Sequence, residues 1–379
     1  MTVLRGLTWA HPRGHDALLG PSRAWMARHP GVDVAWEARS LHAFGDDSLA
    51  ARAEQFDLLV IDHPHIPDAH DEGWLHALDG VGRDESLEVL AGQSVGRSHE
   101  SYAYAGHQYG LAIDAATQVA VARADRLPTP PADWDEVTDL ARRGRVLWPL
   151  KPVNAMASLL TFLGQRGHAL EHGFDQAATE DSLERMRELV ALVPGFCLDD
   201  TPIDTAERLV ADDEWWYAPL AYGYTNYSRS GFRGTRLVYR DIPADAGSIA
   251  GSCLGGAGIA VSAHTAERDL ATDLAFWLAD AETQRGEYFA SGGQPANAVA
   301  WDDETCNAAT LDFFRGTRAT IESASVRPRF VDWMSAQVPI GETVHAYLRG
   351  ATDTARAVDG IRTALDAALE RAARHEEAR

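Results

Sequence analysis

The chain has 379 residues, 45% of them hydrophobic and 24% charged, which suits two domains and argues against a disordered or fibrous protein. Its net charge of −22, from 34 basic and 56 acidic residues, opposes contact with nucleic-acid phosphates or an anionic membrane surface. Cys197, Cys253 and Cys306 are far apart with no CxxC spacing, so neither a disulfide framework nor a structural zinc is implied. One bridge and three free thiols fit the spacing equally well. No apolar run approaches the ~20 residues of a membrane span.

The first strand is expected at residues 2–9, where Val3, Arg5, Leu7 and Trp9 alternate with Leu4, Gly6 and Thr8. No basic n-region, apolar h-region or cleavage site precedes it. The expected location is therefore periplasmic or extracellular if a signal has been removed, and cytoplasmic otherwise. A helix follows within residues 16–29, with Pro21 either starting or kinking it, and His29-Pro30-Gly31 stops it. Residues 32–38 alternate as a strand, and 49–55 form a short helix. Phe56-Asp57-Leu58-Leu59-Val60-Ile61 is a continuous apolar run, as in a buried parallel strand, and it ends at Asp62-His63-Pro64. This alternation argues for an α/β fold with a mainly parallel sheet.

Residues 110–114 lead into a β-rich run at 117–123, and Pro128-Thr129-Pro130-Pro131 breaks the chain before a short helix bearing Trp134, Val137 and Leu140. Leu183, Met186, Val190 and Val193 share a helix face near 180–193. An aromatic strand spans 215–224, with Tyr222 and Tyr224 on one face. Gly255-Gly256-Ala257-Gly258 reads as a flexible stretch before a strand at 259–262. Leu270, Leu274, Trp277 and Leu278 stripe another helix, and Val358, Ile361, Leu365 and Leu369 a last one, after which the charged stretch 370–379 is expected to be solvated or frayed.

Ligands in open α/β sheets bind beyond the carboxyl ends of strands. Two such ends carry polar groups, Trp9-Ala10-His11-Pro12-Arg13-Gly14 and Asp62-His63-Pro64-His65, and both are expected on one sheet edge. Each alone is also ordinary turn chemistry. The histidines show no metal-ligand spacing, so no metal and no cofactor are implied. In the aromatic strand, Tyr222 is the ring favoured for stacking on a sugar-like face, while one or two of Trp215, Trp216 and Tyr217 belong to the core. Gln294, after Gly292-Gly293, either offers an amide to a cleft or simply ends a helix. Cys253 is a structural thiol or a nucleophile; nothing in the sequence places a base beside it.

The order of these pieces resembles a known family. A Trp-ended first strand is followed by an apolar strand ending in Asp62-His63-Pro64, then Gly110-Leu111-Ala112-Ile113-Asp114, then Pro219-Leu220-Ala221-Tyr222. Next come residues 255–262, Trp277-Leu278 with Gln284, Gly292-Gly293-Gln294-Pro295, Phe313-Phe314, Val326-Arg327-Pro328 and a closing helix pair. Over essentially its whole length the chain is similar to the extracellular solute-binding proteins of ABC importers, the branch like maltose-binding protein. The resemblance implies a type II periplasmic-binding-protein fold, two α/β lobes joined by hinge crossovers with a ligand cleft between them. The first lobe would be 1–111 plus 259–310, and the second 112–258 plus 311–379. The permissive crossovers would be 111–114 and 255–258. It also implies a monomer that captures a small polar ligand (sugar, polyol or organic acid) by lobe closure, for an ABC permease partner.

Carried over position by position, the implied ligand contacts are Trp9, His11, Arg13, Asp62, His63, Tyr222, Tyr224, Asn226, Arg327 and Trp333. Asp62 suits paired hydroxyls, whereas Arg13 and Arg327 suit a ligand carboxylate. The alternative is a cytoplasmic enzyme or ligand sensor on the same fold, with His11, Asp62, His63 and Cys253 as its acid–base and nucleophilic groups.

Overall fold

The computed structural model describes residues 1–39, 49–245 and 249–377. They form two compact units. Unit 1 is Met1–Ala115 with Gly255–Ala308, and unit 2 is Ala116–Leu254 with Ala309–Arg379. The chain passes from one unit to the other three times.

In unit 1, strand β1 (Thr2–Trp9) lies parallel to both β2 (Val32–Arg39) and β3 (Leu58–Ile61). The alternation read at Val3–Gly6 is present, but Gly6–Trp9 is buried on both faces, as in a parallel sheet covered on both sides. All four residues of β3 are buried for the same reason. Helix α1 (Ala17–Met26) contains Pro21 in its interior, and the Pro21 carbonyl accepts from Trp277 Nε1 at 3.0 Å. The core collects Leu4, Trp25, Leu58, Val60, Ile259, Leu274 and Leu278.

Strand β4 (Leu111–Ala122) runs unbroken through what the sequence suggested as a crossover followed by a separate strand. Residues 255–258, expected to be flexible, are likewise inside a strand, Leu254–Val261, whose residues 258–261 pair antiparallel with β3 in unit 1, Gly258 opposite Ile61. Glycine at 258 serves close packing, because a Cβ there would stand 2.6 Å from the Tyr102 ring.

In unit 2, β4 pairs antiparallel with β5 (Tyr217–Tyr222) and with β6 (Val238–Arg240). Around them pack α2 (Trp134–Arg142), α3 (Pro152–Gln165), α4 (Gln176–Val190), α5 (Trp333–Leu348) and α6 (Thr354–Glu377). Asp133 and Asp175 cap α2 and α4, accepting from the amides of Glu136 and Ala178. The tail after residue 369 is not frayed, since α6 continues to Glu377, but its residues Glu370 and 373–375 are exposed to solvent as the other reading has it. Its alanine- and arginine-rich last turns favour helix, and Ala368 is fully buried against the unit 2 core.

All three cysteines are buried, and none is in a disulfide. Cys197 accepts a hydrogen bond from the Trp148 amide at 3.4 Å, and burial pushes its thiol from 9.0 up to about 12. A folded pKa above the unfolded one contributes stability below pH 9 that is lost as the pH climbs toward 12. Above pH 9 the wild-type protein should therefore lose stability faster than Cys197→Ala, by about 1.4 kcal/mol per pH unit. Urea unfolding at pH 9, 10 and 11 reads this directly, and parallel decline of the two proteins would contradict it.

Candidate functional site

In unit 1 the parallel register Gly6–Leu58 and Leu7–Leu59 brings the carboxyl ends of β1 and β3 to one sheet edge, so both polar loops lie along it. Trp9 ends β1 with its ring buried beneath Gly14, where any Cβ would meet the indole at 2.4 Å. His11 caps the π-helical turn Pro12–Asp16, its Nδ1 accepting from the Arg13 amide at 3.1 Å, which places that ring's proton on Nε2 in the neutral form.

Arg13 is 4% exposed, and its guanidinium grips Asp114 with Nε–Oδ2 at 2.6 Å and Nη2–Oδ1 at 2.5 Å. Burial pushes the Asp114 carboxyl up while Arg13 pulls it down. Tyr288, buried beside this pair, is pushed well above the usual phenol range by burial and then by the Asp114 charge. Gln294 completes the cluster by donating to the Ala115 carbonyl at 2.7 Å, so its amide serves unit 1's own backbone.

Asp62 follows β3 with its side chain 30% exposed. One oxygen accepts from the His63 amide at 2.9 Å and stands 3.2 Å from His63 Nδ1. His63 itself is fully buried, edge-on to Tyr102.

Unit 2 holds the aromatic part. Tyr222 closes β5 half-buried, and its hydroxyl donates to Cys253 Sγ at 3.4 Å. The strand stops there. Tyr224 lies outside it, buried at the head of the turn Thr225–Ser228, which also buries Asn226, so Tyr222 and Tyr224 do not share a strand face as expected. Of the three upstream aromatics only Tyr217 is fully buried; Trp215 and Trp216 are half-buried. Ser325 bridges to Cys253 in parallel, two residues before Arg327. Arg327 is buried with Nη1 donating to Gln337 Oε1 at 3.2 Å, and Trp333 is fully buried at the start of α5 against Phe330.

Trp9, His11, Arg13, Asp62 and His63 thus lie along one edge of unit 1, while Tyr222, Tyr224, Asn226, Arg327 and Trp333 belong to unit 2. The four residues of the enzyme alternative are split, with His11, Asp62 and His63 in unit 1 and Cys253 in unit 2. Sequence reasoning missed Asp114, Gln118 and Thr161. The available signal was polar side chains interrupting apolar runs, as Asp114 and Gln118 do within β4.

The model of a family described as bacterial extracellular solute-binding proteins matches residues 28–311. The chain belongs to that family. It is a solute-binding protein of the type II periplasmic-binding class, and its two α/β units are those of that fold. Maltose-bound MalE3 of T. maritima is similar at 16% identity, with 97% of this chain and 99% of that one covered and a TM-score of 0.79. An ABC-transporter solute-binding protein of Agrobacterium radiobacter in complex with ribitol is similar at 18% identity, covering 96% and 97%, with a TM-score of 0.79. One of Agrobacterium vitis with bound D-mannitol is similar at 14%, covering 98% and 99%, with a TM-score of 0.75. No curated protein matches in sequence. Among the described residues, no helix of this solute-binding protein is long and apolar enough to cross a membrane.

Proposed function

We propose that this solute-binding protein captures a small polyhydroxylated solute, a sugar or polyol, outside the cytoplasm and delivers it to an ABC permease. The observation that carries the ligand class is the bidentate Arg13–Asp114 pair. It commits to the fold one of the two guanidiniums suited to a ligand carboxylate, while Asp62 keeps a part-exposed carboxylate that accepts paired hydroxyls. Tyr222 supplies an apolar ring of the kind that stacks on a sugar face. Relatives of the same fold were solved with maltose, ribitol and D-mannitol, which supports the reading. His11 and His63 shape the loops that carry Trp9 and Asp62.

Calorimetric titration with maltose, ribitol, D-mannitol and citrate tests the proposal. One of the three hydroxylated solutes should bind, and at a hundredfold excess over its Kd should stabilise the fold by about 2.7 kcal/mol. Asp62→Asn should weaken that solute at least tenfold. Binding of citrate alone would overturn the ligand class.

A further inference from the structure

Behind the Tyr222 ring, unit 2 buries a connected run of polar groups. The Tyr222 hydroxyl donates to Cys253 Sγ, and the thiol lies 3.8 Å from the Leu254 carbonyl it points to. The Cys253 amide donates to Thr161 Oγ1 at 3.0 Å, and the Thr161 hydroxyl donates to Gln118 Oε1 at 2.6 Å. Gln118 Nε2 donates to Ser158 Oγ at 3.2 Å, which also accepts from Trp148 Nε1 at 3.1 Å. A side branch ties the run to the backbone, with Ser252 Oγ donating to the Gln118 carbonyl at 2.6 Å and Thr117 Oγ1 donating to Ser252 Oγ at 2.7 Å. Gln118, Ser158, Thr161, Ser252 and Cys253 are each no more than 1% exposed.

Burying these groups is costly unless each finds a partner, and an apolar filling of equal volume would stabilise the unit at least as well. What the polar run adds is direction. Gln118 stands opposite Tyr222 in the antiparallel pair of β4 and β5, so the two side chains rise from the same face. Apolar packing alone leaves a half-buried ring at a strand end free to turn about its torsions. A hydrogen bond from its hydroxyl into a satisfied network holds one orientation.

We propose that Cys253, Thr161 and Gln118 are positioning residues that hold the Tyr222 side chain in one χ1 rotamer, and so aim its ring, for the solute. The proposal rests on Tyr222 being a solute contact. It also assigns Cys253 a place in the binding machinery as an acceptor for the tyrosine hydroxyl, not as a nucleophile.

The test labels the full chain with 3-fluorotyrosine and assigns the Tyr222 fluorine resonance by its loss in Tyr222→Phe. Wild type should give one narrow line. Cys253→Ala and Thr161→Val should split or broaden it, and should weaken maltose or D-mannitol binding five- to tenfold. Cys253→Ser and Thr161→Ser, which keep a hydrogen-bonding group at the same branch point, should restore the line, and the affinity to within twofold. They also serve if the apolar variants fail to fold. An unchanged single line in Cys253→Ala and Thr161→Val would overturn the proposal, as would weakened binding that the serine variants do not share in rescuing. If Tyr222→Ala leaves both affinities unchanged while Cys253→Ala still splits the line, the site reading fails and the ring-fixing role stands.

Discussion

Asp114→Ala should lower the unfolding free energy by about 3–5 kcal/mol, because it strands the Arg13 guanidinium, 4% exposed, without its counter-charge. Chemical denaturation at pH 7 measures this, and a loss below about 1 kcal/mol would mean that the pair behaves like a surface contact. The double replacement Arg13→Met with Asp114→Leu should recover most of the loss, since removing both charges abolishes the desolvation cost along with the attraction. Arg13→Met alone leaves burial unopposed at Asp114, and burial raises that carboxyl. A carboxyl raised in the folded state favours the fold at low pH and loses that contribution as pH rises through its folded pKa. Relative to wild type, Arg13→Met should therefore be more stable at pH 5 than at pH 8.

Tyr222→Ala should weaken solute binding by at least tenfold and as much as about a hundredfold, which corresponds to about 1.4–2.7 kcal/mol. The ring is half-buried, so the cost to folding should be smaller than the cost to binding, and thermal unfolding without solute separates the two. Tyr222→Phe keeps the apolar face and removes only the donor to Cys253, so it should fall between wild type and alanine. Equal affinities for all three proteins would remove Tyr222 from the site.

Local signals carried far in this chain. The strand at residues 2–9 with its alternation at Val3–Gly6, the apolar run before Asp62, the stripe at Leu270–Leu278 and the edge shared by β1 and β3 follow from side-chain periodicity and from parallel pairing. Contacts across long separations were not legible. Arg13 looked available for a ligand because its partner, Asp114, is 101 positions away. Gly258 looked flexible because nothing local shows that Tyr102 lies against it. The strand is Tyr217–Tyr222, shorter than the expected 215–224, because Gly223 is pressed against Phe313 and the chain turns there, which the aromatic Tyr224 does not reveal. Helix α3 offered no polar face to reveal it, since Asn154–Leu163 is buried throughout.

The antiparallel pairing of β3 with residues 258–261 sets a timetable for synthesis on the ribosome. Leu58–Ile61 is made about 200 residues before its partner, an interval of roughly 10–40 s at ordinary elongation rates. Through that interval the nascent chain carries four apolar residues with an unfilled strand edge. Unit 1 therefore cannot complete its sheet by the usual N-terminus-first order, and it waits while the first two-thirds of unit 2 is being translated.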